Sequence, residues 1–217
     1  YLLTKLLPII DYGVDAIHIE EPYFFVKSGY SNAFKKEWEL YFKKPYSPVG
    51  DDINSQYLAS VLKGKLIYRS IAFLATALKS YAKYHTDKDL KILVQTRGFL
   101  GNIHSKTITP IKKITESRYI DGIVVEADSL TQIISEDSKT NTRFFEAAFI
   151  EFNSMKECLR FDDKEIWFAF DSLHKNPLAT WKEHLNDFLT KFCAALLVPD
   201  VKNYVMAKNP ENEYLHN

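Results

Sequence analysis

Residues 91–98 read KILVQTRG, a short and nearly continuous apolar run that ends in polar residues. Such a run, with β-branched residues in it, is typical of a strand that is covered on both faces in a parallel sheet. Similar stretches are also predicted to be strands: VDAIHIEEP at 14–22, DGIVVEAD at 121–128, EIWFAFD at 165–171 and NYVMAK at 203–208. The chain is therefore expected to contribute about five strands to one buried sheet.

Helical patterns separate the predicted strands. Apolar residues recur at helical spacing between them, and the first two of these patterns end at Gly13 and Pro45. The predicted helices cover the residues before 13 and then 33–44, 55–84, 108–117, 142–160 and 181–198. Alternation of buried strands with helices indicates a parallel sheet, either doubly wound or closed into a barrel.

Two features favour the barrel. The chain has only 7 glycines, and no glycine-rich phosphate turn follows any predicted strand. The strands also end in polar residues, which in a barrel converge on the face that carries the chemistry. These residues are Glu20, Glu21, Gln95, Arg97, Glu126, Asp128 and Asp171. We therefore predict an α/β fold of the (β/α)8 TIM barrel type, with about five β/α units in one partial domain over residues 1–217.

Composition excludes several classes of partner. Lysine plus arginine and aspartate plus glutamate are both 28, so the net charge is +0 and no global field attracts nucleic acid or anionic lipid. No apolar run reaches the roughly 18 residues that span a bilayer, and no targeting segment is recognisable. Cys158 and Cys193 fall in helical patterns, which argues against a disulfide framework or a metal pair. We expect no metal, cofactor, nucleic acid or membrane partner; the compartment and the formation of a homo-oligomer stay open.

A family resemblance adds to this interpretation. The stretch GVDAIHIEEPYFFVKSGYSNAFKKEWELYFKKPY at 13–46 resembles the middle of the barrel in β-galactosidase-like glycoside hydrolases, especially family 42 and its relatives. TRFFEAAFIEFNSM at 142–155, EIWFAFDSLHKNP at 165–177 and LLVPDVKNYVMAKNP at 196–210 are similar as well. The resemblance implies that the five strands are the fourth to the eighth of the barrel, with the first three upstream of Tyr1.

The resemblance also implies a catalytic pair. These enzymes carry a general acid at the end of the fourth strand and a carboxylate nucleophile at the end of the seventh, about 5–5.5 Å apart when they retain configuration. Glu21 would be the acid/base, and Glu20, where the family has an amide, its substrate-binding neighbour that helps keep one of the pair protonated. Asp171 would be the nucleophile, although the family residue is glutamate, and Glu126 is the competing nucleophile. Alternatively, the glutamates contact a helix N-terminus or a lysine, and Asp171 caps a turn.

Other polar residues near the strand ends are expected to bind substrate. Arg97 would orient a carboxylate through its planar fork, or else form an ion pair with Glu21 or Glu126. Asp128 shares the orientation of Glu126 and would bind sugar hydroxyls, and His174 would reach the cleft.

Aromatic residues follow the acidic pair. Tyr23 and Tyr30 would stack on sugar rings, whereas Phe24 and Phe25 are interpreted as loop packing. His18, inside the first predicted strand, is interpreted as a hydrogen-bonded interior residue. The tryptophans are interpreted as core: Trp38, Trp167 and Trp181.

We therefore expect a glycoside hydrolase that cleaves O-glycosyl bonds with retention and binds a carbohydrate substrate. A non-catalytic barrel that serves as a carbohydrate-binding or assembly module is the alternative. The stretch IHIEEP also resembles cobalamin-independent methionine synthases, whose zinc is held by cysteine and histidine at strand ends. Neither Cys158 nor Cys193 lies at a predicted strand end, which argues against this resemblance.

Overall fold

A computed structural model describes residues 2–97, 99–104, 106–127, 144–160, 163–170 and 180–206. Its helices are α1 (Leu2–Asp11), α2 (Asn32–Phe42), α3 (Ile53–Thr86), α4 (Phe99–His104), α5 (Ile111–Thr115), α6 (Phe144–Cys158) and α7 (Trp181–Leu196). Its strands are β1 (Ala16–Ile19), β2 (Phe24–Phe25), β3 (Lys91–Arg97), β4 (Thr107–Ile108), β5 (Gly122–Glu126), β6 (Glu165–Phe170) and β7 (Asn203–Met206). None of the described helices is both long enough and apolar enough to cross a membrane.

The sheet confirms the prediction of parallel strands. Five strands form it in the order β1-β3-β5-β6-β7, and it curls like half of a barrel. Strand β3 pairs with β5 so that Arg97 lies opposite Glu126, and β5 pairs with β6 so that Glu126 lies opposite Ala169. The fold is therefore mixed α/β with a curled parallel sheet.

The two faces of the sheet have different partners. On one face Phe168 and Phe170 pack against Phe152 of α6, with ring centroids 4.3 and 5.9 Å apart. Because side chains alternate along a strand, the other face carries Leu93 and Val124, which are buried with Ala169 and pack against the partly buried Trp167 and Val205. The polar residues at the ends of β3 and β5 continue this second face.

The chain divides into two compact units. The first comprises Tyr1–Ile17, Pro22–Ile92 and Ser105–Ile120, and the second comprises His18–Glu21, Leu93–His104 and Asp121–Asn217. The second unit contains the ends of β1 and β3 together with β5, β6 and β7.

The first unit has its own core around α2 and α3. Trp38 is 2% exposed, as the sequence predicts, and its indole nitrogen donates to the Pro45 carbonyl at 3.1 Å. Lys63 is fully buried and donates to the carbonyl oxygens of Phe25 and Val26 at 3.1 and 2.6 Å. Burial lowers the pKa of Lys63 to about 8, because the charged ammonium loses its hydration. The lysine therefore ties the β2 segment to α3.

Some features differ from the sequence prediction. The antiparallel pair β2–β4 and the short helix α4 were not predicted, and α5 is shorter than the predicted 108–117. The interpretation of Trp181 as a core residue is wrong, since it is 57% exposed at the first position of α7. Cys158 and Cys193 lie in α6 and α7 as expected, and both are exposed and unbonded to each other.

A glycine in β5 offers a test of this packing. A Cβ at Gly122 would lie 2.6 Å from Cδ2 of Leu93 and 3.0 Å from the Glu165 carbonyl oxygen. We expect Gly122→Ala to lower the free energy of unfolding by about 1–3 kcal/mol, because strands β3 and β6 must both shift. Gly64→Ala is the control: within α3 it meets only Pro110 at 3.5 Å and should stabilise by about 0.5–1 kcal/mol. Urea unfolding measures the change in the free energy of unfolding for both variants. Equal changes would contradict the close packing around Gly122.

Candidate functional site

The ends of three neighbouring strands place polar side chains at one edge of the sheet. Strand β1 leads into Glu20 and Glu21, β3 ends at Arg97 and β5 ends at Glu126. The strands are parallel, so their carboxyl ends lie at the same edge, which is where α/β proteins place binding sites. We call the side chains of His18, Glu20, Glu21, Gln95, Arg97 and Glu126 the acidic edge.

Arg97 forms a bidentate ion pair with Glu21. Its Nε donates to Oε1 of Glu21 at 3.0 Å and its Nη2 donates to Oε2 at 2.9 Å. The two side chains are only 19% and 22% exposed, so solvent screens the pair less than it would on an open surface. An ion pair with Glu21 or Glu126 was one of the alternatives that the sequence predicted for Arg97, and the structure has the pair with Glu21. Both oxygens of Glu21 are occupied, which does not suit a carboxyl group that must hand a proton to substrate.

The backbone at Glu21 is strained. Its φ is +38°, a left-handed value that residues with a Cβ rarely adopt, and the following Pro22 restricts it further. Strained backbone of this kind concentrates at functional sites, where the surrounding contacts hold it in place. The bidentate ion pair between Arg97 and the Glu21 side chain is one such contact.

Gln95 contacts Glu126 on the neighbouring strand. Its amide nitrogen donates to Oε2 of Glu126 at 2.7 Å, and Gln95 is only 2% exposed. This bond fixes the position of the Glu126 carboxylate at the end of β5.

His18 joins the same group from β1. The side chain of His18 is exposed, so the interpretation of an interior residue is wrong. Desolvation of the ring lowers the pKa of His18 below its usual 6.5, while the charge of Glu20 and the nearby amide of Gln95 partly offset this. The imidazole is therefore neutral at pH 7.

The acidic edge combines carboxylates with a single guanidinium that is already paired. Carboxylates accept hydrogen bonds from hydroxyl groups and can also act as nucleophile, acid or base, so the edge suits a polyhydroxylated ligand. Within the residues described, no three histidine, cysteine, aspartate or glutamate side chains cluster as a metal site would require.

Five predicted site residues remain. Asp128, Asp171 and His174 fall outside the described residues. Tyr23 and Tyr30 belong to the first compact unit, where the Tyr23 ring meets Phe25 edge-on at 5.4 Å and Tyr30 is 54% exposed.

The first unit also contains a groove that the sequence did not predict. Its volume is about 410 Å³, and Phe24, Phe34 and Leu66 line it. Arg69 and Glu37 are also among its lining residues and form an ion pair of 2.6 Å. The interpretation of Phe24 and Phe25 as loop packing is wrong, because they form strand β2 and are 37% and 57% exposed.

Gln95 and His18 belong to the acidic edge, although the sequence did not predict either as a site residue. Gln95 is a polar residue inside an apolar run and alternates with Arg97, which is the signal that both side chains share one face. Which residues Gln95 and Arg97 contact depends on the order of the strands in the sheet, and this order cannot be read from the sequence.

Comparisons with protein-family models, with curated proteins and with solved structures found no match for this chain.

Proposed function

We propose that this chain forms the catalytic edge of a (β/α)8 barrel glycoside hydrolase that cleaves O-glycosyl bonds with retention of configuration. The observation that carries the proposal is that Glu20, Glu21 and Glu126 all stand at the carboxyl ends of strands of one parallel sheet, with Arg97 paired to Glu21 and in register with Glu126. The resemblance of residues 13–46 to β-galactosidase-like enzymes supports the same chemistry.

Of the two candidate nucleophiles, Glu126 and Asp171, Glu126 is the one that lies within the described residues. A retaining enzyme needs a carboxylate that is held in place to attack the anomeric carbon, and the hydrogen bond from Gln95 positions the carboxylate of Glu126. As the ester bond to Glu126 forms, the glycosidic C–O bond breaks, and its electron pair leaves with the aglycone oxygen, which takes a proton from the acid. Water then attacks the anomeric carbon, the conjugate base accepts its proton, and Glu126 is released. Asp171 stays the alternative nucleophile from the resemblance.

The ion pair changes which glutamate suits the role of acid. The resemblance gives that role to Glu21, but Arg97 holds both of its oxygens. Glu20 is exposed and interacts electrostatically with His18. We therefore propose Glu20 as the proton donor, and Glu21 with Arg97 as the pair that positions the strand end.

The second candidate function is carbohydrate binding at the acidic edge without hydrolysis. If Glu21 is the family's acid, its pairing with Arg97 leaves the edge able to bind sugar hydroxyls but not to protonate a leaving group. The chain would then act as a carbohydrate-binding module.

The experiment is a screen of 4-nitrophenyl α- and β-glycosides of neutral hexoses and pentoses with the intact protein. We expect release of nitrophenol from at least one β-glycoside, with a product that keeps its anomeric configuration in the first minutes by NMR. Calorimetric titration with the corresponding free sugars runs in parallel. Binding without release would favour the module, and the absence of both would overturn the proposal.

A further inference from the structure

The groove in the first compact unit has a wall of aromatic and aliphatic side chains. Phe24 of β2, Phe34 of α2 and Leu66 of α3 line it, and its volume is about 410 Å³. This size lies within the range of about 300–1,000 Å³ that is usual for small-molecule sites. Phe34 is only 7% exposed, whereas Phe24 is 37% exposed and so is open to a ligand. The groove therefore offers an aromatic platform.

The polar part of the groove is an ion pair between its lining residues Arg69 and Glu37. Nη2 of Arg69 donates to Oε1 of Glu37 at 2.6 Å, and Nη1 donates to Oε2 at 3.1 Å. The two side chains keep 58% and 32% exposure, so both remain within reach of a ligand. A guanidinium has five N–H donors, and each carboxylate oxygen can accept more than one hydrogen bond. The pair therefore presents further donors and acceptors side by side.

The wall that carries Phe24 is held in place by buried contacts. Lys63 on α3 is fully buried, and its ammonium group donates to the carbonyl oxygens of Phe25 and Val26 at 3.1 and 2.6 Å. Strand β2 also pairs with β4, so that Phe24 lies opposite Ile108. A ligand that binds against a fixed side chain loses less affinity to the ordering of the protein. The platform is therefore preorganised.

We propose that this groove is an accessory carbohydrate-binding site for a neutral sugar, which shares no residue with the acidic edge. The apolar C–H face of a pyranose ring would lie on Phe24, while neighbouring hydroxyl groups would donate to Glu37 and accept from Arg69. The charges of Arg69 and Glu37 cancel, so the pair matches a neutral ligand that both donates and accepts. The choice of a carbohydrate rests on the proposed function, whereas the shape and polarity of the groove do not.

The test uses the intact Glu126→Gln protein, so that a bound sugar is not hydrolysed, and three neutral probes: cellotetraose, galactotetraose and xylotetraose. We expect at least one of them to shift the NMR signal of the Arg69 Nε–H group, assigned with Arg69→Lys. In Phe24→Ala the affinity read from this signal should fall roughly tenfold, because the stacking platform is lost. Phe25→Ala is the matched control, since Phe25 lies in the same strand and is more exposed but does not line the groove. Its affinity should equal that of the parent.

A second variant and a competing ligand make the test decisive. Arg69→Lys keeps the charge but loses the planar fork, and calorimetric titration should show weaker binding in it even if Phe24→Ala does not fold. Equal losses in Phe24→Ala and Phe25→Ala would overturn the site, as would an Arg69 signal that responds to a neutral, apolar heptapeptide and to none of the sugars.

The outcomes for the groove and for hydrolysis are distinguishable. Binding at Arg69 in a protein that hydrolyses no glycoside would support the accessory site and remove the proposed function. Hydrolysis by the wild type without any response of the Arg69 signal to the three probes would support the proposed function and overturn the accessory site.

Discussion

Replacing Glu126 by glutamine is expected to reduce hydrolysis of every glycoside by about 10,000-fold or more. An amide cannot form the glycosyl ester, so the first chemical step loses its nucleophile while the hydrogen bond from Gln95 can be replaced. The loss should be the same for good and poor leaving groups, because all of them require the attack. Initial rates with aryl glycosides and with unactivated disaccharides measure it.

Chemical rescue makes this prediction specific for a nucleophile. Glu126→Ala leaves space at the end of β5, and added azide should restore turnover of an activated glycoside and give a glycosyl azide of inverted configuration. Glu165→Gln is the matched control, since Glu165 lies at the start of β6, at the opposite edge of the same sheet, and contacts the Trp167 indole at 3.2 Å. It should keep nearly full activity. Wild-type rates in Glu126→Gln would transfer the role to another carboxylate, with Asp171 as the first to be replaced.

The strands and their parallel pairing were predictable because each buried strand is a short apolar run and each is followed by a helical pattern. The contacts at the acidic edge were not. The Arg97–Glu21 pair requires β1 to lie beside β3, and the Gln95–Glu126 bond requires a particular register between β3 and β5. Both are long-range properties that no local pattern in the sequence encodes.

Helix α7 shows a second limit of sequence patterns. Its apolar periodicity predicts a helix correctly, but His184 is buried, and so is the ion pair between Asp187 and Lys191 at 2.8 Å. The exposed positions include Leu185 and Leu189. Periodicity identifies a helix with two unlike faces, and the tertiary environment decides which face is covered. This is why Trp181 was wrongly predicted to be core.

Glu20→Gln and Glu21→Gln are expected to have different kinetic signatures. Glutamine at position 20 keeps the shape of the side chain but has no transferable carboxyl proton. Hydrolysis of substrates with poor leaving groups should therefore fall by about 100- to 10,000-fold, and the glycosylation step of activated aryl glycosides should fall much less. Glutamine at position 21 instead removes one side of the ion pair and leaves the mostly buried charge of Arg97 without this carboxylate. That loss does not depend on the leaving group, so all substrates should be affected alike.

The dependence of kcat/KM on leaving-group acidity distinguishes the two glutamates. For the variant that lacks the proton donor, the rate should depend more steeply on the leaving group than for the wild type, because nothing assists departure of the aglycone oxygen. We expect the steep dependence in Glu20→Gln and an unchanged slope in Glu21→Gln. Glu21→Asp is a further control, since it keeps the charge opposite Arg97 but shortens the reach across the 2.9 and 3.0 Å contacts. A steep slope in Glu21→Gln would mean that Arg97 releases Glu21 when substrate binds, and it would return the role of acid to the residue that the family resemblance implies.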